Sequence, residues 1–181
     1  PLKGFNRKML AIGFRNLIIK NKGLKKLISN NLKKKITYQD IGFNIGPLIN
    51  SSGRIAKAND VVELFLTQND DKIDKISNKM NSHNLIRKKI EQENLDLIDF
   101  KKYYSKNVIF IYNKKFHEGV IGILAAKLSK ILNKPCFIMT ESHDLLKCSI
   151  RSANNVKINK TINKLIANKL IISGGGHDEA G

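Results

Sequence analysis

Tryptophan is absent from this 181-residue chain, and only two cysteines and three prolines occur. Two cysteines cannot build a disulfide framework. Cys136 and Cys148 each sit in an apolar, strand-like run, which predicts buried free thiols. No run of about 18 apolar residues is present, so no membrane-spanning helix is expected. No secretory leader is present either, and a cytoplasmic location is the default expectation. His83, His117, His143 and His177 are scattered at no metal-ligand spacing. No D-x-H, H-x-H, Walker-type or G-x-G-x-x-G pattern occurs. Carboxylates are scarce, and only Asp178 and Glu179 lie near a candidate site residue. A complete reaction centre is therefore not expected in this chain.

Basic residues are abundant: 33 Lys and Arg against 15 Asp and Glu, a formal charge of +18 with pI near 10.0. Such a field attracts polyanions, nucleic acid first among them. Heavy use of Asn, Lys and Ile would also follow from AT-rich coding, so the charge alone does not decide the partner. The length suits one medium domain with an appendage or two small domains, with roughly two-thirds of the unfolded surface buried on folding. The chain starts at Pro1 without a methionine and stops at Gly181 within a Gly-rich turn. It is expected to be a piece of a longer protein.

Apolar residues at three- and four-residue spacing predict helix over 5–31, with a break or kink at Gly23. Thr37 and Asp40 supply a cap for a short helical turn. Gly42, Gly46, Pro47 and Gly53 predict a structured loop over 41–53. Helices follow at 56–67 and 71–98, the second long, charged and carrying a thin apolar stripe. The period then changes. NVIFIY (107–112) and PCFIMT (135–140) predict buried strands, 120–132 a helix between them, 145–152 a third strand and 159–171 a last helix. Strand–helix–strand implies an α/β fold, a small domain with a mixed sheet flanked by helices after a helical connecting segment, with a boundary near residue 100.

Four segments could carry chemistry. FNIGPLINSSGR (Phe43–Arg54) offers Asn50, Ser51, Ser52 and Arg54 as donors around a glycine-shaped turn. That pattern suits a phosphate clamp or an ordinary turn with a surface arginine. KFHEGVIG (Lys115–Gly122) puts His117 before a helix start. An anion could bind there, but Glu118 competes for the same positive pole, and His117 could equally cap or pack. In KCSIRS (Lys147–Ser152) a strand period aims Ser149 and Arg151 to one face, two donors side by side or simply a polar strand surface. SGGGHDEAG (Ser173–Gly181) brings its backbone close to something and aims His177, or is a plain connection.

Taken in order, these segments resemble RecJ-type exonucleases of the DHH/DHHA1 phosphoesterase superfamily. Asn6, Arg7 and Gly13 resemble the family's NR…G run. FNIGPLINSSGR is similar to IGP-R-IN-A-x-GR, and Asn84, Arg87 and Glu91 match N-x-x-R-x-x-x-E. FHEGVIGILAAKL, KCSIRS and GGGHDEAG resemble WH-x-GVIGI-x-A-x-RL, GS-x-RS and GGH-x-x-A-G. Leu48 replaces an arginine, which removes a donor; Phe116 replaces a tryptophan and Cys148 a glycine. The resemblance implies an enzyme hydrolysing single-stranded DNA from the 5′ end in repair and recombination. Its metals, Mn²⁺ or Mg²⁺, would be held by an upstream DHH domain and would activate water. Residues 1–100 would be the end of that domain and connecting helices, and 101–181 a truncated DHHA1-like nucleic-acid-binding domain. Asn50, Arg54, Ser149, Arg151 and His117 would bind substrate, with Asn50 shaping the Arg54 loop. His177 would be catalytic at the scissile phosphate. Tyr103, Tyr104 and Phe116 are candidates for base stacking. The expected partner is single-stranded DNA, with a monomeric protein and no membrane. A short-oligonucleotide exonuclease or phosphatase of the same superfamily and a non-catalytic RNA-binding DHHA1 module are the alternatives.

Overall fold

The computed structural model describes residues 3–32 and 36–181. The chain divides into two compact units, one ending at Arg87 and the other beginning at Lys88.

The first unit is helical. α1 (Gly4–Arg15) buries none of its residues, and α2 (Lys22–Asn31) follows. The break in the predicted 5–31 helix falls at 16–21, not at Gly23. There Asn21 ends the extended stretch by capping α2, its side chain accepting from the Leu24 N–H at 2.9 Å. Gly23 lies inside α2 because a Cβ there would meet the Leu64 carbonyl oxygen at 2.2 Å. It is a close-packing residue, not a breaker. Thr37 and Asp40 form the expected capping box at α3 (Tyr38–Asp40).

The predicted loop over 41–53 is helical instead. A π-helical stretch, Ile41–Ile45, runs into α4 (Gly46–Ile55), and the Gly46 N–H donates to the Ile41 carbonyl. Pro47 falls in the first turn of α4, directly after the π turn. α5 (Asn59–Leu66) and α6 (Asp70–Asp96) complete the unit. Its core is Leu27, Leu48, Leu64, Ile73, Ile76 and Met80, the thin stripe of α6 supplying the last three. Leu85 and Leu97 stay exposed. The division between units falls within α6.

The second unit is α/β with a mixed three-stranded sheet, as expected. A 3₁₀ turn (Phe100–Tyr103) precedes β1 (Ile109–Tyr112). α7 (Ile121–Leu132) crosses over to β2 (Cys136–Ser142), which pairs parallel with β1. β3 (Leu145–Arg151) returns antiparallel to β2. His143 and Asp144, both with positive φ, make the two-residue hairpin loop, a geometry that matches strand twist. α8 (Ile158–Ala167) follows.

Ile109, Ile111, Cys136 and Ile138 point to one sheet face and pack under Val120, Ile121, Leu124, Ala125 and Leu128. Burial pushes the Cys136 thiol up to about 11. On the opposite face Ile150 and Phe137 meet Ile158 and Ile162 of α8. That face is only partly covered, so β1 is not a buried strand throughout: Phe110, stacked on Phe137, and Tyr112 are exposed. Cys148 is exposed too, contrary to expectation. It lies opposite Met139, beyond the stretch where Ile150 meets α8. Among the described residues no helix is long and apolar enough to cross a membrane.

Candidate nucleic-acid interface

In β3, Ser149 lies opposite Ile138 and Arg151 opposite Cys136. Both therefore share the face that α7 covers, and the period-two reading of KCSIRS holds. α7 can lie this close because small residues recur along it. A Cβ on Gly122, in its first turn, would meet the Ser149 Oγ at 3.2 Å. Ala126 lines a cleft with Arg151, and the Ser129 Oγ donates to the Ser152 carbonyl at 2.9 Å. Gly122, Ala126 and Ser129 stand four and three apart, one stripe of the helix. That spacing is legible in the sequence. The Nε of Arg151 is buried without a hydrogen-bond partner. Such an unmade bond costs about 1–3 kcal/mol, so it marks a position where an acceptor is wanted.

The C-terminal segment extends this strand pair outward. The Ile150 N–H donates to the Gly181 carbonyl at 2.7 Å, and the Gly181 N–H returns to Ile150 at 3.1 Å. The Ser152 N–H donates to Glu179 at 2.9 Å. Ala180 thus lies beside Arg151. The turn before it folds back on itself, with the His177 N–H donating to the Ala180 carbonyl at 2.8 Å. Only glycine fits at 176, since a Cβ would stand 2.2 Å from the Ala180 carbonyl oxygen. His177 is exposed, and its Nδ1 accepts from the Glu179 N–H at 3.3 Å. The structure therefore gathers Ser149, Arg151 and His177 on and beside one strand. The sheet-edge pairing of 179–181 was not foreseen, because Gly-rich turns give no strand period.

His117 lies just before the helix, with three residues between it and Ile121, and its Nδ1 accepts from the Gly119 N–H at 3.1 Å, closing a local turn. Glu118 does not compete for the helix pole. It is bound by the Ser142 hydroxyl at 2.5 Å and Lys147 at 3.0 Å. These contacts, Ser142 first, hold its carboxyl down at about 2.

In the first unit, FNIGPLINSSGR makes no loop clamp. Ser51 and Ser52 are fully buried; Ser51 donates to the Leu48 carbonyl at 2.6 Å and Ser52 bonds the His83 Nδ1 at 3.1 Å. Leu48 is 1% exposed in the core, so its side chain occupies no donor position at the surface. Asn50 and Arg54 are exposed one helical turn apart on α4, and Asn50 shapes no loop because none exists. On α6, Arg87 donates to the Asn84 Oδ1 at 2.9 Å, while Glu91 pairs with Lys127 of α7.

Phe116 is 4% exposed and packs in the core, which removes it as a stacking platform. Tyr103 is half-buried against the same core, and Tyr104 is exposed. Among the described residues no three His, Cys, Asp or Glu side chains gather into a group that could hold a metal ion. The residues present do not fit a divalent-metal centre.

Residues 105–181 match the DHHA1 domain model. Over 167 residues, 86% of the chain, the sequence is 29% identical to the single-stranded-DNA-specific exonuclease RecJ of Salmonella typhimurium. It is 24% identical over 189 residues, 99% of the chain, to that of Bacillus subtilis. The chain spans 29% and 24% of those proteins. Crystal structures of RecJ from Thermus thermophilus with Mn²⁺ and with Mg²⁺ superpose with TM-scores of 0.82 and 0.81 at 22% identity. They cover 99% of this chain, which covers 27% and 28% of theirs. The order of elements, the β3–α7 face and the Gly-Gly-Gly-His tail thus occur in a chain whose residues 105–181 match the DHHA1 domain model and which is similar in sequence and fold to RecJ exonucleases along nearly its whole length.

Proposed function

We propose that the chain is part of a cytoplasmic, metal-dependent exonuclease that degrades single-stranded DNA from its 5′ end in repair and recombination, and that this part holds the DNA backbone. The observation that carries the proposal is the pairing of Ser149 with Arg151 on the α7 face of β3, with the Arg151 Nε lacking an acceptor. A hydroxyl and a guanidinium two residues apart on one strand face present side-by-side donors to phosphate oxygens. The charge of +18 adds a sequence-independent attraction to the backbone. Arg54, with Asn50 one turn before it, supplies a further phosphate contact from α4. His177 directs its free ring nitrogen to the scissile phosphate, and His117 contacts the substrate near the α7 end. Catalytic Mn²⁺ or Mg²⁺ belongs to an upstream DHH domain, since the residues here do not fit one. The enzyme works as a monomer. Residues 1–100 then complete the DHH domain and its connecting helices.

Binding of this chain to a fluorescent single-stranded oligonucleotide, with and without a 5′-phosphate and across a salt series, tests the proposal. Affinity should fall steeply with salt and favour single strand over duplex. Arg54→Ala and Arg151→Ala should each weaken binding by about 1.5–3 kcal/mol, one charge-assisted contact. Binding indifferent to strand state and to both arginines would overturn it. Preference for structured RNA, or for dinucleotides over long strands, would point instead to the RNA-binding or short-oligonucleotide members of the superfamily.

A further inference from the structure

The helix that buries none of its residues, α1, lines a groove of about 380 Å³ in the first unit. Arg7, Leu10, Phe14 and Arg15 form one wall, and Ile36 and Tyr38 belong to the other. The spacing of the α1 residues puts them on a single helix face. Arg7 and Arg15 stand about two turns apart, a rise of about 12 Å along the helix. Both are exposed, and neither makes an ion pair among the described residues. Apolar side chains fill the interval between them. The Tyr38 wall is fixed by its own chain neighbours. The Thr37 hydroxyl accepts from the Asp40 N–H at 3.2 Å, and the Asp40 carboxylate accepts from the Thr37 N–H at 2.9 Å. Asp40 also accepts from the Asn44 amide at 3.0 Å, so the carboxylate that follows this wall is engaged locally.

We propose that this groove is a base-stacking slot for single-stranded nucleic acid. Phe14 is half-buried and Tyr38 is 50% exposed, so both rings are anchored by packing yet open to a ligand. A planar base entering the groove gains stacking that any base can supply. The two arginines then meet separate phosphates of the same strand, and a guanidinium also stacks well on a ring. A duplex keeps its bases inside the helical stack, so the slot admits only a single strand. A polyanion without bases would satisfy the arginines and leave the apolar walls wet. An uncharged apolar ligand would do the reverse. The inference rests on the proposed function in one respect, that the chain meets single-stranded DNA. It adds base contacts to a reading that contains only backbone contacts, and it gives them to Phe14 and Tyr38 instead of Tyr103, Tyr104 or the buried Phe116.

Titration of the ¹⁵N-labelled chain with hexathymidylate, and with an abasic hexanucleotide of equal charge, tests it through amide shifts. Saturable shifts are expected at Leu10, Phe14 and Tyr38 with the thymidylate strand, and far weaker ones with the abasic strand. Tyr38→Ala leaves the Thr37–Asp40 capping box in place, so the dispersed spectrum should be retained. Affinity read at Leu10 and Phe14 should fall about tenfold, within the range for one base stacked on an aromatic ring. Tyr38→Phe should keep it. Arg15→Ala should weaken both strands alike, because it removes a phosphate contact only. Absence of saturable shifts in the groove, equal shifts with the abasic strand, or unchanged affinity in Tyr38→Ala would each overturn the proposal. Larger shifts with poly-glutamate than with thymidylate would overturn it in favour of an acidic protein segment. Arg151→Ala separates this claim from the role of β3. Arg151-dependent binding without groove shifts would sink the slot alone. Groove shifts with no dependence on Arg151 at Ser149 or Gly181 would sink the β3 role and leave the slot.

Discussion

FNIGPLINSSGR in the first unit and KCSIRS in the second both combine serine with arginine, and they end in opposite environments. In the helix, two turns of α4 send Leu48, Ser51 and Ser52 inward and Asn50 and Arg54 outward. In the strand, alternation sends Ser149 and Arg151 together to the α7 face and Cys148 and Ile150 to the other. A helix separates neighbours by about 100° each, so adjacent polar residues divide between core and solvent. A strand keeps every second residue together, so a polar pair stays a pair. The same composition is therefore a paired polar strand face in one unit and half a core in the other.

Several changes probe that contrast, the largest first. Leu48→Arg restores the residue usual in the resembling family but puts a guanidinium into the core beside Leu27, Leu64 and Met80. It should destabilise the first unit by more than about 3 kcal/mol in urea unfolding. A near-neutral result would mean that α4 can rotate its face outward. Gly176→Ala forces a Cβ onto the Ala180 carbonyl and should cost about 1–3 kcal/mol. Faster amide exchange at Ile150 and Gly181 would report it, with α4 unaffected; unchanged exchange would refute the pairing of 179–181 with β3.

Glu118 gives a smaller, pH-dependent effect. Its carboxyl is held at about 2 against an ordinary 4.5, first by Ser142 and then by Lys147. A depressed pKa stabilises the fold above the unfolded value and loses that contribution as pH falls through about 2. Glu118→Gln should therefore lower Tm at pH 6 and flatten its decline between pH 4.5 and 2. Identical acid slopes in the two proteins would rule out the tie between this turn and the β2–β3 hairpin. Least perturbing is thiol labelling of the native protein. Burial raises both thiols alike, to about 11, so exposure decides: Cys148 should react before Cys136, which is enclosed under α7. Equal rates would mean that the outer sheet face is covered.

Much of the second unit was legible because hydrophobic period and β-branched runs act locally. IFIY, CFIMT and ILAAKL declare strand, strand and helix without outside help. The first unit was harder. Glycine and proline bias a segment toward turns, yet Pro47 sits where a helix tolerates it and Gly46 takes part in a π turn. Gly23 illustrates the same limit, since its reason is Leu64, 41 positions away. Exposure was also illegible where it depends on coverage: Cys136 and Cys148 lie in similar apolar runs, and only the packing of α7 and α8 separates buried from open.

From residue order alone came the α/β class, the sense of each regular element beyond residue 100, the basic charge and the side-by-side aim of Ser149 and Arg151, all of which follow from local periodicity and composition. The tertiary structure alone decided that Ser51 and Ser52 are core, that α7 closes on β3 through Gly122, and that 179–181 lines the strand beside Arg151. These are contacts between distant segments, and no local propensity encodes which surfaces will meet.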